Sequence, residues 1–255
     1  MSGRQEIVFY SYGICSAYIA CRLQDECGKP ICLFSDTKRE DEDTYRFGQE
    51  VVQRWGLNLQ EASHGGDLWD WFAEHNMIPA RQLSPCSLHF KILPSRAYLH
   101  EHFESQGIPA VVSVGYDITE QSRVDKFLAH WDFKHIAVRF PLLEWGVSKQ
   151  QCFGYFAQHG ITPPRIYKHF RNANCLPCKN FRKPDWIALA YHFPEKFAEA
   201  ASFEMKEDLR WMQDGPTLIE LALSEEVPTR KGRRKLEGAE PAFSFDMGCD
   251  RCAID

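Results

Sequence analysis

Ten cysteines occur among the 255 residues, and their spacing is the first chemical signal in the chain. Residues 175–178 read CLPC and residues 248–252 read GCDRC, so Cys175 with Cys178 and Cys249 with Cys252 form Cys-x-x-Cys pairs. Such a pair brings two thiols onto one turn of backbone, which suits metal ligation or dithiol redox chemistry. No N-terminal stretch couples a basic start to a long apolar segment, and no apolar run approaches roughly eighteen residues. A cytoplasmic protein with no membrane partner is expected, and in that compartment thiols stay reduced rather than forming a disulfide framework. Cys15, Cys21, Cys27, Cys32 and Cys152 lie on or beside apolar stretches, where a free cysteine packs as a small apolar residue. Cys86, Cys175, Cys178, Cys249 and Cys252 are left for chemistry, and four of them as thiolates would suit a [4Fe-4S] cluster or a structural zinc ion.

A second signal lies at SYGICSA, residues 11–17, between the apolar run IVFY and the helical pattern AYIACRL. Gly13 allows a tight strand-to-helix turn that leaves the first helical N–H groups facing open space. Those donors and the helix dipole attract an anion, so the turn reads as a phosphate site as well as an ordinary connection.

These residues must be held by a scaffold, and the pattern of the chain supplies one. Strand-like runs (EIVFYSY, ICLFSD, LNLQEAS, AVVSVGYD, HIAVRFPLL) alternate with helical stretches over residues 1–162. This alternation predicts an α/β, Rossmann-like parallel sheet with helices on both faces, and ligands then sit beyond the carboxyl ends of the strands. Residues 163–255 form a second segment: a Pro-rich basic loop with two cysteines, helices interrupted at Pro194, and a cysteine-bearing tail. The net charge of −5 argues against a uniformly basic nucleic-acid binder, although RKGRRK at residues 230–235 is a local cationic tract.

SYGICSAYIACRL, SDTKREDEDTYRF, CSLHFKILPSRAYL, VGYDITEQSR and IYKHFRNANCLPCK, in that order, resemble the phosphoadenylylsulfate and adenylylsulfate reductases. These belong to the PP-loop adenine nucleotide alpha hydrolases. The resemblance covers roughly residues 7–180 and implies a HUP-type fold that binds an adenine nucleotide. It implies nucleotide contacts from Ser11, Tyr12, Gly13, Ile14, Cys15, Ser16, Asp36, Thr37 and Gly115, and a grip on substrate anion by Lys91 and Arg123. Cys15 replaces the aspartate of the ATP pyrophosphatase loop, which speaks against release of pyrophosphate. CLPC is similar to the Cys-x-Pro-Cys of the iron-sulfur reductases. Cys86 matches the first residue of their Cys-Cys pair and Ser87 replaces the second, so the four thiolates would be the two Cys-x-x-Cys pairs, or one pair with Cys86 and one tail cysteine. The resemblance favours the cluster; the spacing alone leaves zinc open.

Three activities remain compatible. In a sulfonucleotide reductase, a cysteine thiolate attacks the activated sulfur and a thiol donor such as thioredoxin or glutathione releases sulfite. The family's tail motif Glu-Cys-Gly-Leu-His is absent, so Cys249 or Cys252 would have to act as nucleophile. Alternatively, the bound nucleotide is ATP and drives transfer of sulfur to a nucleic acid that faces RKGRRK and the cations Lys168, Arg171, Lys179, Arg182 and Lys183. The third is a non-catalytic nucleotide-binding module of the same fold.

Overall fold

A computed structural model describes residues 4–80 and 83–224, the side chain of residue 27 excepted. The tail with Cys249, Cys252 and the RKGRRK tract lies outside the described residues. In β1 (Gln5–Phe9), Ile7 and Val8 are both fully buried yet belong to different apolar clusters, because successive strand side chains leave opposite faces of the sheet. A strand apolar on both faces needs cover on both. The Val8 side is covered by α1 (Ile14–Cys27), α2 (Glu42–Trp55) and α8 (Lys149–Gln158), whose Ile19, Phe47 and Phe156 share its cluster. The Ile7 side is covered by α5 (Leu93–His102) and α6 (Gln121–Ala129) through Leu99 and Phe127.

The strands β2 (Ile31–Phe34), β3 (Asn58–Glu61), β4 (Ala110–Ser113) and β5 (Ile136–Arg139) complete a five-stranded sheet of order β3-β2-β1-β4-β5, parallel throughout. The expected α/β sheet with helices on both faces is therefore present. β3 departs from the apolar pattern, with Asn58, Gln60 and Glu61 exposed, because it is an edge strand with one neighbour. The chain leaves β1 toward β2 on one side and reaches β4 on the other. The crevice between β1 and β4 is thus the switch point where such sheets bind ligands.

The remaining short helices are α3 (Leu68–Glu74), α4 (Pro85–Ser87), which runs into a π-helical turn at Leu88–Ile92, and α7 (Pro141–Glu144). Beyond residue 160 a single 3-10 turn, Arg165–Lys168, interrupts an irregular stretch that leads to α9 (Lys183–His192), α10 (Pro194–Lys206) and α11 (Leu218–Leu223). Pro194 separates α9 from α10 as its missing N–H requires, since it can start a helix but not continue one. Trp186, Leu189 and Leu218 of this part pack against Trp69, Phe72 and Phe90 in one cluster, which seats the C-terminal helices on α3 and the π-helical turn. Among the described residues no helix is long and apolar enough to cross a membrane.

Candidate functional site

The turn after β1 is shaped by crowding more than by glycine's backbone freedom. Tyr12, not Gly13, takes the left-handed conformation (φ 56°), while Gly13 is extended at φ −87°. The strain at Tyr12 is offset by its ring, which is buried and stacked on Phe34 at 4.0 Å between centroids. Gly13 is required for space: a Cβ there would meet Ser11 Oγ and Tyr167 Oη at 3.2 Å. Ser16 Oγ knots the turn by accepting from Ser11 N (3.1 Å) and donating to the Gly13 carbonyl (3.1 Å). The first helical amide does not face open space as expected. Ile14 N donates to Tyr167 Oη at 3.0 Å, so a side chain from the 3-10 turn caps α1.

A cavity of about 310 Å³ opens above this turn, between the carboxyl ends of β1 and β4. Ser11, Gly13, Cys15 and Ser16 line it, whereas the Tyr12 and Ile14 side chains belong to the core. Gly115, after β4, lines the facing wall, and a Cβ there would lie 3.2 Å from Ser16 N, so glycine permits two backbones to meet. Arg123 also reaches the cavity. Its guanidinium is ion-paired with Glu120 and lies 4.3 Å over the Tyr116 ring, which fixes its direction. Lys91 enters from the π-helical turn, an irregularity common at functional positions, with its Nζ 3.9 Å from Glu40 Oε1.

At the end of β2, Thr37 and Asp36 part company. Thr37 lines the cavity and donates to Glu40 Oε2 at 2.7 Å. Asp36 accepts from Lys38 N (2.7 Å) and Tyr45 Oη (2.5 Å) and does not line the cavity, so its carboxylate shapes the turn after β2. Burial, together with the Glu40 and Asp36 carboxylates, pushes the Tyr45 hydroxyl far up, which keeps it a donor to both.

Cys86, Cys175 and Cys178 all face this same cavity. Cys175 lies 3.2 Å from Thr37 Oγ1 and 3.9 Å from Glu40 Oε1, and burial with the nearby Glu40 carboxylate pushes its thiol up to about 12, partly offset by Lys91. Among the described residues, no three Cys, His, Asp or Glu side chains gather closely enough to hold a metal ion. The described residues therefore do not by themselves fit a cluster or a zinc ion, and the other two cysteines named for that purpose lie outside them.

Several lining residues carry no mark in the sequence reading. Lys149 opens α8, a helix whose capping box of Ser148 and Gln151 is legible in SKQQ. Its ammonium is held by Asn172 Oδ1 (3.0 Å) and the Arg171 carbonyl, 4.8 Å from the Tyr167 ring, and burial pushes its pKa down. Of the basic loop, Arg171 lines the cavity, but Lys179 is buried. It donates to the carbonyls of Ala80 (3.1 Å) and Leu83, so it is a cation that ties loops together and does not face a polyanion.

A second cavity of about 470 Å³ adjoins the first, with Phe9, Ser11, Lys91 and Tyr116 common to both. Its walls are mainly apolar and aromatic, from Leu33, Phe34, Phe127 and Trp131. A flat apolar ligand part fits there beside a charged part in the first cavity.

No family model and no curated protein matches the chain. Among solved structures there is a likeness. It is to a crystal structure of phosphoadenylyl-sulfate (PAPS) reductase from Candida auris in complex with phosphate, at 13% identity and a TM-score of 0.44, over 66% of this chain and 77% of that one.

Proposed function

We propose that this chain is an adenine-nucleotide-binding enzyme of sulfur chemistry that acts on a sulfated adenosine as the sulfonucleotide reductases do. One observation carries the reading: a strand-to-helix turn, two directed cations (Lys91 and Arg123) and three thiols (Cys86, Cys175 and Cys178) share one cavity at the switch point of the sheet. The sequence resemblance supports the same substrate. The adenine occupies the aromatic cavity, the phosphate lies against Ser11, Gly13 and Gly115, and Lys91 with Arg123 grips the sulfate oxygens.

The chemistry needs two thiols. A thiolate attacks the sulfur of the sulfate, the S–O bond to the nucleotide phosphate breaks, and the phosphate leaves with its electron pair. A second thiolate, from thioredoxin or glutathione, then attacks the enzyme's sulfur, forming a disulfide and expelling sulfite. Lys91 and Arg123 bear on the first step by neutralising the sulfate's oxygens as the thiolate approaches. The attacking thiol is assigned to Cys249 or Cys252 of the tail, and the thiols on the cavity wall are left as ligands or partners.

The test is anaerobic sulfite release from phosphoadenylylsulfate and from adenylylsulfate, with thioredoxin or glutathione supplied, together with calorimetric binding. Sulfite is expected, with loss of activity in Lys91→Ala and Arg123→Ala. Binding without sulfite would reduce the chain to a nucleotide-binding module, and no binding of either nucleotide would overturn the reading.

A further inference from the structure

Lys149 is a cation in a place unfavourable to a cation. It is the first residue of α8, where the helix dipole is itself positive, and the first turn of α8 holds no acidic residue to balance it. It is partly buried, which disfavours the charged form and pushes its pKa down. It also lacks a counter-charge, since among the described residues no carboxylate is ion-paired with it. The two carboxylates whose charge bears on it are engaged elsewhere, Glu120 with Arg123 and Asp117 with Thr119 N at 2.8 Å. Lys91 and Arg123, on the same cavity wall, each have a carboxylate partner.

The hydrogen bonds of Lys149 are incomplete as well. An ammonium has three N–H donors, and those of Lys149 meet two neutral oxygens, the Arg171 carbonyl and Asn172 Oδ1 at 3.0 Å. Lys179, by contrast, spends its donors on three oxygens, the Ala80 and Leu83 carbonyls and Asn180 Oδ1, as befits a lysine that ties loops together. Lys149 Nζ lies 4.8 Å from the centre of the Tyr167 ring, and Tyr167 Oη accepts from Ile14 N at 3.0 Å. The ammonium thus stands beside the turn between β1 and α1, in a residue that lines the cavity. With Ile14 N taken by Tyr167, that turn lacks one of the amides an anion would use, and an adjacent ammonium supplies charge in its stead.

We propose that Lys149 is the counter-charge of the substrate's 5′-phosphate and makes the cavity discriminate a nucleotide from its nucleoside. The inference rests on the nucleotide reading of the site. The phosphate takes the third donor of the ammonium and provides the anion that Lys149 lacks, whereas a 5′-hydroxyl accepts a hydrogen bond there but brings no charge. The contact also bears on the proposed reaction, because breaking the S–O bond leaves additional negative charge on that phosphate. Lys91 and Arg123 then remain with the sulfate.

The experiment is calorimetry on the full chain with two pairs of ligands, adenosine 5′-monophosphate against adenosine, and adenosine 3′,5′-bisphosphate against adenosine 3′-monophosphate. The members of each pair differ only in the 5′-phosphate. Lys149→Gln keeps a donor for the Arg171 and Asn172 oxygens and removes the charge. In it the 5′-phosphorylated member is expected to bind about ten- to a hundredfold more weakly, with the affinity of the other member unchanged. Lys149→Arg keeps the charge and is expected to retain most of the discrimination. Should Lys149→Gln lower the urea midpoint, Lys149→Met, which keeps the length of the apolar stem, is read in the same way. The wild-type preference needs neither variant, and equal wild-type affinity for both members of each pair overturns the inference. Affinities that Lys149→Gln leaves unmoved, or lowers equally within a pair, overturn it while the nucleotide reading stands. Wild-type protein that binds none of the four ligands overturns that reading and this inference with it.

Discussion

A methyl group at residue 115 would stand 3.2 Å from Ser16 N and 3.5 Å from Ser16 Cα, and neither atom can rotate away. At residue 13 the same methyl group would meet two side-chain oxygens at 3.2 Å, of which the Ser11 hydroxyl can swing aside by turning about its Cα–Cβ bond. The two glycines therefore differ in what replacing them would cost. Gly115→Ala must push β4's exit away from the first turn of α1, widening the crevice proposed for the phosphate. Nucleotide affinity is expected to fall about tenfold, equivalent to about 1.4 kcal/mol, by calorimetry with the unreacted product nucleotide. Gly13→Ala is expected to cost less, and the order of the two, more than either value, is the check. Equal affinities in Gly115→Ala and wild type would show that the phosphate does not sit between these backbones.

At the scale of elements, the 3-10 turn and the end of α9 meet through two histidines, His169 and His192, stacked with ring centroids 3.5 Å apart. Burial lowers the pKa of both, and for His169 the neighbouring His192 and Lys168 add to it, taking it from 6.5 to about 4. Between those values the unfolded chain binds a proton at this position that the folded chain does not. The stability tied to neutral His169 is thus complete above 6.5 and drains away as pH falls toward about 4. Urea unfolding from pH 7.5 down to pH 4.5 (about the range a histidine titrates over) is expected to show a steeper loss in wild type than in His169→Gln. The elements here were largely legible in the sequence. The alternation of apolar runs marks the strands, and Pro194 marks the break between α9 and α10. What escaped were α8, short and mixed in pattern, and α7, which begins at Pro141 inside the run HIAVRFPLL. The site was legible as far as residues share a local motif: Ser11, Gly13, Ser16, Thr37 and Gly115 do line the cavity. Tyr167 and Lys149 were not, because each reaches the site by a tertiary contact that no spacing encodes. Nor does sequence say which of Tyr12 and Gly13 takes the positive φ.

At the scale of the whole molecule, metal content depends on parts that the sheet alone does not bring together. The cavity wall supplies Cys86, Cys175 and Cys178, so a four-thiolate centre requires a tail cysteine to arrive there. Metal and sulfide analysis of anaerobically purified full chain decides whether such a centre forms: iron with acid-labile sulfide that Cys175→Ser and the Cys249→Ser, Cys252→Ser double variant both lose would place the tail beside the cavity wall, and metal retained in the double variant would exclude the tail as a ligand. The C-terminal part is stitched to the sheet by charge as well as by its apolar cluster. Arg165 grips Asp41 through Nη2 at 2.6 Å and Nε at 2.9 Å, Arg39 pairs with Glu199 at 2.7 Å, and Lys196 pairs with Glu42 at 2.8 Å. The Asp41 side chain is 0% exposed and also caps α2 by accepting from Asp43 N at 3.2 Å, whereas the Arg165 side chain is 50% exposed. Arg165→Ala therefore strands a buried carboxylate, a loss of about 3–5 kcal/mol for a fully buried pair. Water reaching the vacated place reduces this to about 1–2 kcal/mol. Because Tyr167 lies on the same 3-10 turn and caps α1, the loss of stability must be accompanied by weaker nucleotide binding, whereas a fault confined to the C-terminal helices would leave binding intact. Urea midpoints and calorimetry on Arg165→Ala and Arg165→Lys separate the two outcomes, with lysine expected to recover part of both losses by restoring the charge without the two-pronged grip.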